Sequence, residues 1–147
     1  MNKLIWIVLA LLAGAFLPIQ AAFNAKIGKA INSPLYASLA SFVVGVISIG
    51  TYIFLSNQNI SFSGARSAPL YLWLAGALGA FYVTVTILSF PRLGPALTFG
   101  LVIAGQMLVS VLMDHLNIFV KEHHPLTPYR FLGILLVIAG VALIRKF

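Results

Sequence analysis

Five stretches of the sequence, Leu4 to Phe23, Pro34 to Leu55, Pro69 to Phe90, Pro95 to Met113 and Pro128 to Ile144, are almost free of charge and close to the length of a membrane span. A bilayer core about 30 Å thick is crossed by about 20 residues of α-helix, and a helix satisfies its backbone groups without water. The pattern predicts an all-α polytopic membrane protein of five transmembrane helices, forming a single transmembrane domain over residues 1–147. Composition excludes the soluble alternative: 61% of residues are hydrophobic and 7% charged, against about 45–50% and 25% in ordinary soluble domains.

The segment boundaries carry start signals. Ser33-Pro34 and Thr127-Pro128 each put a capping hydroxyl before a proline whose missing N–H costs nothing at the first helical position, and Pro69 and Pro95 can open helices in the same way. The turn "FPRLGP" is short enough to make the third and fourth segments antiparallel neighbours. "SNQNISFSGARSA" and "HLNIFVKEHHPL" read as polar loops. Lys3 followed by Leu4 to Leu17 also fits a signal-peptide core, but the apolar run continues through Ile19, Ala21, Ala22 and Phe23, so it is read as a first span.

The nine Lys and Arg against two acids would suggest a nucleic-acid partner on a soluble chain. Here they stand at the ends of apolar runs, as membrane-surface anchors and topology signals do, so lipid is the expected partner and nucleic acid is not. With five spans, Lys3, Arg66, Lys121 and Arg130 fall on one side and Lys26, Lys29, Arg92, Arg145 and Lys146 on the other, four against five. A difference of one sets orientation weakly. Two outcomes are compatible with it: dual topology, giving an antiparallel homodimer related by a two-fold axis in the membrane plane, or one aligned population with the C-terminus inside.

Small residues let helices approach in lipid, where no hydrophobic force drives them together. Ser38, Ser41, Gly45 and Ser48 lie along one face of the second segment; Gly76, Ala80 and Thr84 recur in the third, and Gly133 and Gly140 in the fifth. These read as helix-packing seams, with Ser41 also a cavity candidate.

The polar residues inside the spans carry the choice of function. Pro18 removes a backbone hydrogen bond to Gly14 and predicts a kink. Gln20 and Asn24, four apart just beyond it, share a face; Gln20 reads as a cavity residue or as interhelical glue, and Asn24, near Lys26, as a rim or gate residue. In "VIAGQMLVSVLMDHLN" the rise of a helix centred near Ala104 puts Gln106 about 3 Å from the midplane, Ser110 about 9 Å and Asp114 about 15 Å. Asp114 is thus expected at the rim, solvated or paired with Lys121 or Arg130, with Arg92 a second rim or gate candidate. Gln106 has no such escape and must face protein or water, with Ser110 beside it, whereas Gly100 and Ala104 point elsewhere and are free for packing. Tyr82, midway along the third span, needs a partner for its hydroxyl and is a further cavity candidate. Trp6, Tyr36, Trp73 and Tyr129 stand near span ends as belt residues do.

Cysteine is absent, and the paired His123 and His124 sit in a loop with few acids, so neither a metal site nor a cofactor is expected. No nucleophile and base assemble at membrane depth, which argues against an enzyme.

The segments "PIQAAFNAKIG", "SPLYASLASFVVG", "FPRLGPALTFGLVIAGQMLVSVLMDH" and "RFLGILLVIAGVALI", in this order, resemble the drug/metabolite transporter superfamily, most closely its five-helix, single-repeat YdcZ-type branch. The resemblance implies a half-transporter bundle in the bacterial cytoplasmic (inner) membrane, completed by a second copy or an inverted sister protein. The related small multidrug resistance exporters exchange protons for cationic drugs on a first-helix glutamate, and this first helix has no acid. Neutral amides suit a polar or zwitterionic solute instead. The expectation is a secondary transporter or facilitator of a small polar metabolite, by alternating access in an antiparallel homodimer, its site lined by Gln20, Ser41, Tyr82, Gln106 and Ser110. The alternative is a non-transporting membrane subunit or scaffold in which the same polar residues only stitch helices together.

Overall fold

The computed structural model describes residues 3–58, 62–119 and 124–147, which are helical with no strand among them. In chain order the helices are α1 (Lys3–Ala30), α2 (Pro34–Leu55), the short α3 (Phe62–Ser67), α4 (Ala75–Leu93) preceded by a 3₁₀ turn over Leu70–Leu74, α5 (Pro95–His115) and α6 (Pro128–Lys146). Five are long and apolar enough to cross a membrane once the 3₁₀ turn is joined to α4, and they match the five apolar stretches of the sequence.

The ends differ from the hydropathy boundaries for local reasons. α1 continues past Phe23 because Lys26 and Lys29 are good helix formers with water-seeking heads, and it stops where Asn32 adopts a left-handed φ of 53°. There the Ser33 N–H donates to the Gly28 carbonyl at 2.9 Å and the Asn32 N–H to that of Lys29 at 3.3 Å, closing the orphan carbonyls of the last turn. Asn117 ends α5 by the same device, with φ 55° and the Ile118 N–H on the Met113 carbonyl at 2.9 Å. Ser33 and Thr127 cap α2 and α6 by accepting from the N–H groups of Tyr36 and Arg130, at 3.4 and 3.3 Å. Pro69 precedes a 3₁₀ turn rather than opening an α-helix, and Pro91 is carried inside α4. The turn after Pro91 narrows to Gly94 alone, whose φ of 76° and ψ of 165° lie in a region essentially reserved for glycine.

The chain divides into two compact units, residues 1–91 and 92–147. In the first, Gly28 faces Ala37 and Asn24 faces Ser41, descending on one helix as the other ascends, so α1 and α2 run antiparallel. α4 joins them through Ile87, beside Gly28, and through a hydrogen bond between Ser38 and Thr84 hydroxyls at 2.9 Å. The buried set is small and mixed: Ala21, Ala37 and Ile87 with Asn24, Ser38 and Thr86. In the second unit α5 packs on α6, with Val111, Ile134 and Val141 buried. Large apolar side chains such as Phe54 at 80% and Val46 at 71% exposure cover the outside, the arrangement a lipid solvent requires.

Candidate functional site

Gln20 and Asn24, one helical turn apart on α1, both reach Ser41 of α2. The Asn24 amide donates to Ser41 Oγ at 3.1 Å and the Gln20 amide at 3.3 Å. Asn24, expected at the rim, is instead only 6% exposed, because α1 runs on for a further turn and a half beyond it and its face is turned toward α2. A hydroxyl offers two acceptor positions and one proton, so each amide spends only a fraction of its capacity on Ser41. Donor and acceptor groups therefore remain unspent at one point of a membrane helix pair.

Two hollows meet at that point. A groove of about 470 Å³ lies between α1 and α2, with Gln20, Asn24, Ser41 and Ser48 as its polar groups, the Ser48 hydroxyl being spent on the Val44 carbonyl of its own helix, and with Phe16, Phe23 and Val44 among its walls. A second, of about 250 Å³, is bordered by Phe42, Val46 and Ile49 of α2 and Val83 of α4. Gln20, Ser41 and Gly45 line both, so the two hollows adjoin there. A third hollow, of about 10 Å³, close to the size of one water, is lined by Gln20, Asn24, Tyr82 and Thr86 among others. The Tyr82 hydroxyl is buried without a partner among the described residues, while the Thr86 hydroxyl donates to the Tyr82 carbonyl at 2.7 Å. Gln20, Ser41 and Tyr82 thus share one neighbourhood with Asn24 in the first unit.

Gln106 and Ser110 belong to α5 in the second unit, both exposed, and neither side chain has a hydrogen bond among the described residues. Asp114 pairs with Arg130, whose second nitrogen donates to the His124 carbonyl at 2.7 Å. His115 Nδ1 accepts from the Leu126 N–H at 3.2 Å. These contacts pin the return of the chain from α5 to α6. Arg92 is exposed in the last turn of α4. Lys121, the other expected partner of Asp114, and His123 lie outside the described residues.

The close-packing glycines are not those of the small-residue stripes. A β-carbon at Gly45, Gly76, Gly133 or Gly140 would meet nothing within 4 Å, and Ala80 and Ser48 are exposed, Ser48 bonding the Val44 carbonyl of its own helix at 2.8 Å. Instead a β-carbon would lie 3.3 Å from Pro34 Cα at Gly28, 3.7 Å from Phe42 at Gly79, and 3.1 Å from Val141 at Gly100. Small-residue spacing marks a face on which approach is possible, and does not say which face is used. α1 is helical straight through Pro18, which lies inside it.

The family described as "Putative inner membrane exporter, YdcZ", of the drug/metabolite transporter type, matches residues 5–143. The chain is also similar to the inner membrane protein YdcZ of Escherichia coli (strain K12), with 23% identity over 150 residues covering 99% of this chain and 98% of the relative. No solved structure matches it. With a match running from the first span to the last and five apolar helices to carry it, the chain belongs to the YdcZ family of the drug/metabolite transporter type, as an integral protein of the bacterial inner membrane.

Proposed function

We propose that this protein is a secondary transporter or facilitator for a small polar metabolite, working by alternating access across an antiparallel homodimer. Gln20, Asn24, Ser41 and Tyr82, together with Gln106 and Ser110, line the site, and Arg92 and Asp114 act at its gate or rim. The observation that carries the reading is the pair of amides converging on Ser41 within membrane helices, beside a groove of about 470 Å³. Hydrogen-bonding capacity in hydrocarbon is expensive to leave unspent and is kept where a solute or water uses it. The exposed Gln106 supports the dimer, since an amide near the midplane needs a polar neighbour and the balanced charge count permits an inverted second copy. The family's description as an exporter supports the transport role and favours the outward direction.

The test is uptake or counterflow in proteoliposomes with a panel of neutral and zwitterionic metabolites, comparing the native chain with Ser41→Ala and Gln106→Leu. Flux for at least one solute, reduced in both variants, is expected; unchanged flux in Gln106→Leu removes that residue from the site. The Gln20–Ser41 and Asn24–Ser41 bonds also link α1 to α2, and this favours one second reading, a non-transporting membrane subunit stitched by the same residues. In that case Ser41→Ala lowers stability and no solute crosses.

A further inference from the structure

We infer that the groove between α1 and α2 takes an uncharged amphipathic molecule, its hydrogen-bonding head on Gln20, Asn24 and Ser41 and its apolar part along the groove walls. This rests on the reading of that cluster as a binding site and adds the chemical class of the ligand. The two amides and Ser41 form one polar spot, and the remaining hydroxyl of the lining, Ser48, donates to the Val44 carbonyl of its own helix. On α1 the wall continues past them in both directions, with Phe16 and Ile19 on one side and Phe23 and Ile27 on the other, a run of about 16 Å at the rise of a helix. All four are more than 40% exposed, so they offer open apolar surface at the depth of the hydrocarbon. A molecule with an uncharged polar head and an apolar part matches both features, and this narrows the small polar metabolite to one that carries an apolar part.

The head must be neutral, because no titratable side chain among the described residues lines the groove. A bare carboxylate or ammonium placed there loses its hydration and gains no countercharge. It can be both donor and acceptor, since Gln20 and Asn24 each carry a carbonyl oxygen and N–H capacity beyond the single bond made to Ser41. A primary amide or a hydroxyl meets that demand. Gly45 borders the groove on α2, and a β-carbon there would meet nothing within 4 Å among the described residues, so a side chain introduced at that position has room to project into the groove. The volume of about 470 Å³ lies within the roughly 300–1,000 Å³ of small-molecule pockets.

The experiment uses the full chain in lipid nanodiscs and three probes with the same alkyl tail and different heads: decanamide, decanoate and decyltrimethylammonium. Ligand-observed NMR, with empty nanodiscs subtracting partition into lipid, gives the affinity of each. Decanamide is expected to bind at least tenfold more tightly than either charged probe. Gly45→Val, which puts a branched side chain into the groove and leaves the hydrogen bonds in place, should reduce that preference, and Ser41→Ala should weaken decanamide about five- to tenfold, the range of one lost neutral hydrogen bond. Circular dichroism and dimer content of Gly45→Val check that the variant is folded; Gly45→Ala, which adds a single methyl, is the second variant and should bind with intermediate affinity. No saturable binding, equal binding of all three probes, preference for a charged head, or a preference untouched by both Gly45 variants overturns the inference. The outcome is separable from transport: decanamide binding with no flux for any solute leaves the groove assignment standing and removes the transporter, and flux without such binding does the reverse.

Discussion

The two units of this protein spend their polar residues in opposite ways. In the first, amides and hydroxyls lie between helices: Gln20 and Asn24 meet Ser41, Ser38 meets Thr84, and hollows remain beside them. In the second, the contact between α5 and α6 is made by close apolar packing, with Gly100 against Val141 and Val111 and Ile134 buried, and the ion pair of Asp114 with Arg130 is kept to the end of the helices. Helices in lipid are held by packing and by interhelical hydrogen bonds. A unit held by packing has little room for a ligand, whereas one held by hydrogen bonds between imperfectly filled surfaces has both the room and the chemistry.

The contrast breaks most readily at Gly100. Gly100→Leu drives a branched side chain into Val141, and a cost of about 3 kcal/mol is expected in unfolding from detergent micelles, whereas Gly45→Ala, facing open space, should change stability by less than about 0.5 kcal/mol. Equal effects at both glycines would deny that the units are packed differently. Next in size is Gly94→Ala, which forces a β-carbon into a glycine-only backbone region and should cost about 2 kcal/mol by the same measurement.

Arg130→Met leaves Asp114 at the membrane edge without its partner and the His124 carbonyl without its donor. Both charged side chains keep a quarter to a third of their exposure, so the expected loss is about 1 to 1.5 kcal/mol rather than the larger cost of a fully buried pair. A double-mutant cycle with Asp114→Asn should recover most of it as coupling, and additive losses would show that the pair is incidental.

The smallest effects sharpen the comparison by their signs. Ser41→Ala removes the acceptor shared by two amides and is expected to cost about 1 kcal/mol, close to the modest worth of interhelical hydrogen bonds in membranes. Thr98→Val should do the opposite, neutral or stabilising by up to about 1 kcal/mol, because the Thr98 hydroxyl is buried without a partner among the described residues. Thermal unfolding of the two variants side by side reads the difference, and a destabilised Thr98→Val would show that its hydroxyl has a role of its own.

Much of the candidate site is legible in the sequence as residue types and little of it as pairs. Gln20 and Ser41 stand out because an amide or hydroxyl among aliphatics needs a reason, and Tyr82 stands out in the same way. Asn24 was harder to judge: its spacing from Gln20 put it on the right face, but proximity to Lys26 suggested the surface, and only the length of α1 and the opposing α2 bury it. The polar line on α5 separated by depth, and its last member, Asn117, is the left-handed residue that ends the helix. A small residue permits approach on its face without requiring it: within the chain Gly28, Gly79 and Gly100 meet another helix, while a β-carbon at Gly76 or Gly133 would meet nothing within 4 Å among the described residues.

What sequence alone determined is what depends on a few neighbours along the chain: five spans from the length of the apolar runs, the Ser-Pro and Thr-Pro starts of α2 and α6, and an acid placed near the edge rather than the centre. Tertiary structure decided which hydroxyl the amides share, which glycines touch another helix, and where the grooves lie. The physical reason is that these helices carry apolar residues on every side and only a few polar ones. In water, a polar stripe and an apolar stripe tell a helix which way to turn; in lipid both sides of a helix are equally at ease, and its rotation is set by contacts with partners far away in the chain.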